Sequence, residues 1–166
     1  YFRVSVIAAD YGQADAEVRE GVNIIKGLDF RRNGAVNICR LWRAMNESGA
    51  DVFFLETASP GVPLAGFYCR MKGKALVYRM ASRLESDGTY LRRHPVVGRA
   101  FLAALRRAGL VIAQNESDRN NLLSLTGIKS VVIANGQRIP PEALEDERSG
   151  VLWAGRSERV KRPDLL

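Results

Sequence analysis

Residues 109–136, GLVIAQNESDRNNLLSLTGIKSVVIANG, leave this chain few ways to fold. Leu110–Ala113 is a continuous apolar run of the kind buried on both faces in a parallel sheet. Asn115 offers an N-cap, and Asp118 three residues on places an acid in the first turn, where the helix dipole favours it. Leu122, Leu123 and Leu125 supply an apolar stripe, and Gly127 followed by Ile128 reads as a left-handed C-cap with its hydrophobic contact. A second β-branched run, Val131–Ala134, stops at Asn135-Gly136. Strand, helix and strand in so short a span make a βαβ unit, which is right-handed in nearly all proteins. The fold class expected is therefore α/β: a parallel sheet with helices on both faces.

The upstream residues extend that unit. Phe2–Ala9 alternates and is rich in β-branched residues, predicting a strand that ends near Asp10. Tyr11–Asp15 is a turn, and Val18–Lys26 is a weaker strand candidate broken by Gly21 and closed by Gly27. Asn33-Gly34 starts a helix to about Glu47, with Ala35, Ile38, Cys39, Leu41, Trp42 and Met45 on one face. Asp51–Glu56, DVFFLE, is a buried strand. A helix follows through about Met71, its basic end suiting the dipole, then a short strand over Ala75–Arg79. Met80–His94 has no clear period and reads as a long loop. Val96, Val97, Ala100, Phe101, Ala104, Leu105 and Ala108 then form a helical stripe, with Arg99, Arg106 and Arg107 off it.

Charge narrows the partners. The chain of 166 residues carries a net +7, unevenly spread. Ten of its basic residues fall between Arg70 and Arg107, against Glu85 and Asp87 alone. A basic region on a balanced chain points to an anionic partner, and an anionic membrane surface meeting residues 70–107 fits it. Nucleic acid is not expected, because only Tyr78, Tyr90 and Phe101 interleave with those cations. Cys39 and Cys69 stand apart without metal-ligand spacing and read as buried reduced thiols. The chain opens on Tyr1 in a strand-like run, so an upstream element is expected, and no apolar stretch is long enough to span a membrane.

After Gly136, GQRIPPEALEDERSG (residues 136–150) reads as an interdomain linker over 137–149. VLWAGRSERVKRPDLL then begins a strand and a helix that belong to a second domain, starting near residue 150. Taken together, GLVIAQNESDRNNLL, SVVIANG and VLWAGRSERVK resemble the group 1 (family 4) glycosyltransferases of the GT-B fold, whose domain junction is written as strand, Asn-Gly, linker, strand, Gly-Arg and a following Lys. The match falls on Asn135, Gly136, Gly155, Arg156 and Lys161. It implies that residues 1–136 form a Rossmann-like acceptor-side domain, one half of a GT-B fold. It further implies a cytoplasmic enzyme, peripheral on the inner face of the membrane. Such an enzyme moves a hexose-type sugar, with retention, from a nucleotide-diphosphate sugar to a hydroxyl of a saccharide or lipid-linked acceptor. No further cofactor and no metal are expected.

The resemblance assigns Arg156 and Lys161 to the donor diphosphate. The chemistry agrees, since a forked guanidinium and an ammonium beyond a strand's C-terminal end suit phosphate oxygens that gain charge as the sugar leaves. Acceptor-side candidates come from the same strand-end rule: Glu56 and Thr57 after DVFFLE; Arg79, Ser82, Arg83 and Asp87 after ALVY; Asn115 and Glu116 after LVIAQ. Asn135 and Gly136 would face the interdomain cleft. Many family members place a histidine just after the strand matching ALVYR, where this chain has Met80-Ala81-Ser82. His94 comes further down the loop, so no acceptor-side catalytic group is assigned. The family's glycine-rich loop and its spaced glutamate pair would lie upstream of Tyr1 and downstream of Leu166. A competing class, a non-catalytic Rossmann-like nucleotide- or anion-binding domain, would be marked by GxGxxG after the first strand, which does not occur.

Overall fold

The βαβ unit of residues 109–136 closes a four-stranded, all-parallel sheet in a computed structural model that describes residues 2–136. Its strands are β4 (Val52–Glu56), β5 (Ala75–Arg79), β6 (Leu110–Ala113) and β7 (Val131–Val132), side by side in chain order. Register is set by the apolar alternation. Phe53 pairs with Leu76 and Leu55 with Tyr78, so the buried positions of β4 and β5 share one face. Helices α2 (Gly61–Lys72), α5 (Pro95–Leu105) and α6 (Glu116–Thr126) connect these strands and flank the sheet. The architecture is Rossmann-like α/β, as expected. A second sheet of three strands, β1 (Ser5–Ala9), β3 (Val22–Leu28) and β2 (Ala16–Arg19), precedes it, with β1 and β3 parallel. Helix α1 (Gly34–Ser48) packs on β3 and leads into β4.

Local chemistry explains the element ends. Asn33 caps α1 through its side-chain oxygen, 2.9 Å from the amide of Val36, and Gly49 takes the left-handed conformation that closes the helix. Asn115 and Gly127 do the same for α6, with the Asn115 side chain 2.9 Å from the amide of Asp118. The core gathers Met45, Val62, Tyr78, Met80, Phe101 and Leu122, each almost fully buried. Phe101 stacks edge-on against Tyr78 and Tyr90, ring centres 5.2 and 5.3 Å apart.

Several sequence expectations are corrected. Residues 18–26 are not one broken strand: Glu20 and Gly21, both with positive φ, turn the chain back so that β2 pairs antiparallel with β3. Residues 80–94 are not an open loop, since they hold two short helices, α3 (Arg83–Ser86) and α4 (Thr89–Arg93). The buried stripe of α5 is Gly98, Phe101, Leu102, Ala104 and Leu105, which leaves Val96 and Ala100 exposed. Gly98 sets this phase: the backbone of Leu91 lies where its Cβ would be, so the helix turns its bare position toward α4. On α1 the buried residues are Ala44, Met45 and Ser48, while Ala35, Ile38 and Cys39 face solvent; Cys39 is therefore not a buried thiol. Only Leu122 of the three α6 leucines is buried.

Candidate functional site

Parallel strands that all point one way bring their following loops to one edge, where open α/β sheets hold ligands. Here β4 and β5 end on Glu56 and Arg79, and Asn135 follows the end of β7 at Val132 by three residues. Arg79 joins the three: its Nη1 donates to Glu56 Oε1 at 3.2 Å and its Nη2 donates to Asn135 Oδ1. The arginine side chain is 20% exposed and Glu56 is 44% exposed, so the pair sits at the rim rather than in the core. Glu56 keeps its second oxygen without a hydrogen-bond partner among the described residues. Thr57, the next residue, has φ 71°, a left-handed conformation that a β-branched side chain rarely takes and that costs on the order of 1–3 kcal/mol. Strain of this kind concentrates where a backbone must be aimed.

A buried polar chain ties the loops beneath that rim. Glu85, 7% exposed, accepts from Tyr78 Oη at 2.7 Å and from the amide of Ala81 at 3.3 Å through one oxygen. Its other oxygen accepts from the amide of Ala58 at 3.2 Å, so one carboxyl links the loop after β4 to the loop after β5. Burial pushes the Glu85 carboxyl above the usual range, and the hydrogen bonds from Tyr78, Ala58 and Ala81 oppose that rise without cancelling it. The Tyr78 hydroxyl is driven up as well, first by burial and then by the carboxyl beside it. Ser86 carries the chain onward, donating to Asp118 Oδ1 at 2.7 Å, while Asn115 Nδ2 donates to Asp118 Oδ2 at 2.8 Å. The edge of the sheet is thus laced from β4 across to α6.

The remaining sequence candidates divide. Ser82 caps α3, accepting from the amide of Leu84, and Arg83 opens that helix at the surface. Asp87 accepts from the amide of Thr89 at 2.8 Å, and the Thr89 hydroxyl and amide hold its carboxyl below the usual range. Glu116 is paired with Arg119 at 2.6 Å on the first turn of α6. These residues line the same edge as caps and surface pairs. Gly136 is exposed beyond β7. Arg156 and Lys161 lie outside the described residues, as do the linker 137–149 and the segment from 150.

Sequence reasoning missed Glu85, Tyr78, Ser86 and the buried role of Asp118. A signal existed: Ser82-Arg83-Leu84-Glu85 spells a capping box, but the glutamate turns inward to the loops instead of back to its own cap. A depression of about 480 Å³ lies at the opposite end of the sheet, between Arg106, Gly109, Gly127 and Lys129. The last turns of α5 and α6 close on it, and the loops after β4 and β5 do not reach it, so volume does not mark the strand-end site. Among the described residues no cluster of His, Cys, Asp or Glu could hold a metal ion, and no helix is long and apolar enough to cross a membrane. No protein-family model matches the chain, and no curated protein matches it.

Proposed function

We propose that the chain is the acceptor-side part of a glycosyltransferase that moves a sugar from a nucleotide-sugar donor to a hydroxyl acceptor. The observation that carries this reading is the Glu56–Arg79–Asn135 link at the C-terminal edge of the parallel sheet. Arg79 is already neutralised by Glu56, which disfavours capture of a phosphate at this rim. A carboxylate with a free oxygen, beside an amide and a guanidinium, instead suits the hydroxyls of a neutral saccharide. The resemblance of residues 109–166 to the GT-B junction supports the same class. It would place Arg156 and Lys161 at the donor diphosphate, where cations stabilise the leaving charge.

In this scheme Glu56 accepts hydrogen bonds from the acceptor sugar, Arg79 holds Glu56 in place, and the Glu85 carboxyl fixes both loops. Holding an acceptor hydroxyl close to the sugar carbon removes orientational freedom that would otherwise raise the barrier. The test is equilibrium binding of the 166-residue chain to a glycan array, with Glu56→Ala alongside. Saccharide binding that falls at least about tenfold in Glu56→Ala, the scale of one or two lost charge-assisted hydrogen bonds, is the expected result. Binding of free nucleotides with no saccharide preference would favour the nucleotide- or anion-binding alternative and overturn this one.

A further inference from the structure

The chain contains two Asn-Gly pairs, Asn33-Gly34 and Asn135-Gly136, and both asparagines are exposed. Asparagine before glycine is open to attack by its own backbone, because no Cβ shields the glycine nitrogen from the neighbouring carboxamide carbon. The structure places the two pairs differently. Asn33 caps α1: its Oδ1 accepts from the amide of Val36 at 2.9 Å, and its backbone is extended, with ψ 166°. Bringing the Gly34 nitrogen onto the Asn33 side chain would turn that backbone and break the cap. Asn135 caps no helix. It lies two residues past Ile133, whose amide makes the last ladder bond of β7, to the Ala113 carbonyl at 3.0 Å. The Gly136 amide has no hydrogen-bond partner among the described residues. Asn135 Oδ1 accepts from Arg79 Nη2, and Glu56 aims that guanidinium by holding its other arm.

We propose that Asn135-Gly136 is a site of spontaneous deamidation promoted by Arg79. The Gly136 nitrogen, its proton taken by hydroxide from solvent, attacks Asn135 Cγ; the N–Cγ bond forms as the carbonyl electron pair moves onto Oδ1. That oxyanion collapses, the Cγ–Nδ2 bond breaks, and Nδ2 takes a proton from water and leaves as ammonia. Solvent water then opens the succinimide at either carbonyl, giving aspartate or isoaspartate at position 135. Arg79 acts in the first step, because negative charge grows on the oxygen that its guanidinium already holds. Asn135 has no cap to break, so its backbone can turn toward the ring while the Arg79 side chain follows the oxygen. Either product sets a second carboxylate on Arg79 beside Glu56, taking the rim from balanced charge to a net negative one. Isoaspartate also adds a methylene to the backbone just past β7. These changes follow from the geometry of the rim alone and do not depend on which ligand it takes.

The test incubates the full 166-residue chain in mildly alkaline buffer and follows each Asn-Gly peptide by mass spectrometry, reading the mass gained when NH2 is replaced by OH. In the folded chain Asn135 should convert about fivefold or more faster than Asn33, the scale of one helix cap that must break at Asn33. In concentrated urea, where neither the cap nor the Arg79 contact survives, the two rates should converge. Arg79→Gln should slow Asn135 by about threefold or more while leaving Asn33 unchanged, an effect well below that of a buried oxyanion donor because this rim is open to solvent. Circular dichroism checks that the variant is folded, and the comparison of native and urea rates needs no variant at all. If Arg79 merely holds the asparagine still, Arg79→Gln would speed the reaction. That acceleration, an unchanged rate in Arg79→Gln, or equal conversion of Asn33 and Asn135 in the folded chain would overturn the proposal.

Discussion

Glu85 is the residue on which the arrangement of the strand-end loops depends. Truncation to Ala would leave the Tyr78 hydroxyl and the amides of Ala58 and Ala81 without their acceptor, at roughly 1–3 kcal/mol for each group that finds no substitute. Its pH dependence has a definite sign. The folded carboxyl titrates above its ordinary value of 4.5, so the folded state holds its proton more tightly than the unfolded chain. The contribution of Glu85 to stability is complete below that ordinary value and declines as pH rises through the raised one. Glu85→Gln does not titrate, so its stability deficit relative to the parent should shrink over that rise. Denaturant unfolding at a series of pH values measures it, and a deficit that grows with pH would contradict the assignment. The Ser82–Glu85 capping-box spacing was legible in the sequence, but the inward turn and burial of Glu85 were not, because they depend on the donors Tyr78, Ala58 and Ala81 that the fold brings to it.

At the scale of elements the sequence spoke more clearly. The caps at Asn33, Gly49, Asn115 and Gly127 are local chemistry and fall where their residues place them. The faces of α1, α5 and α6 are not local, because several phases of an apolar helix are possible and packing selects one. Gly66 shows the selection: a Cβ there would come within 2.7 Å of the Ala104 Cβ, so the crossing of α2 and α5 needs a bare position. Gly66→Val should therefore destabilise the chain by about 1–3 kcal/mol in a thermal or denaturant melt, despite the higher helix propensity of valine over glycine. The phase of α1 has a chemical readout as well. Cys39 is exposed, whereas Cys69 is 3% exposed with its thiol pushed up by burial. A thiol reagent should label Cys39 promptly and Cys69 only on unfolding; prompt labelling of both would place α2 differently.

For the whole molecule, the order of apolar runs and breaks from β4 to β7 was readable, because parallel strands buried on a common layer need continuous apolar segments joined by helices. The hairpin of β2 and β3 was not, since a Glu-Gly turn carries less signal than Asn-Gly. The site followed the same division. The strand-end rule singled out Glu56, Arg79 and Asn135 from the sequence, and the structure brings the three together at one edge, through hydrogen bonds between residues far apart in the chain. The most direct test of that site is amide chemical-shift mapping of the 166-residue chain titrated with a saccharide acceptor and, separately, with a free nucleotide. The account predicts saccharide-induced shifts centred on Glu56, Thr57, Arg79, Ser82 and Asn135, with smaller changes at Ala58 and Ala81 passed through Glu85. Shifts confined to the opposite end of the sheet, around Gly109 and Lys129, or produced by nucleotide alone, would contradict it.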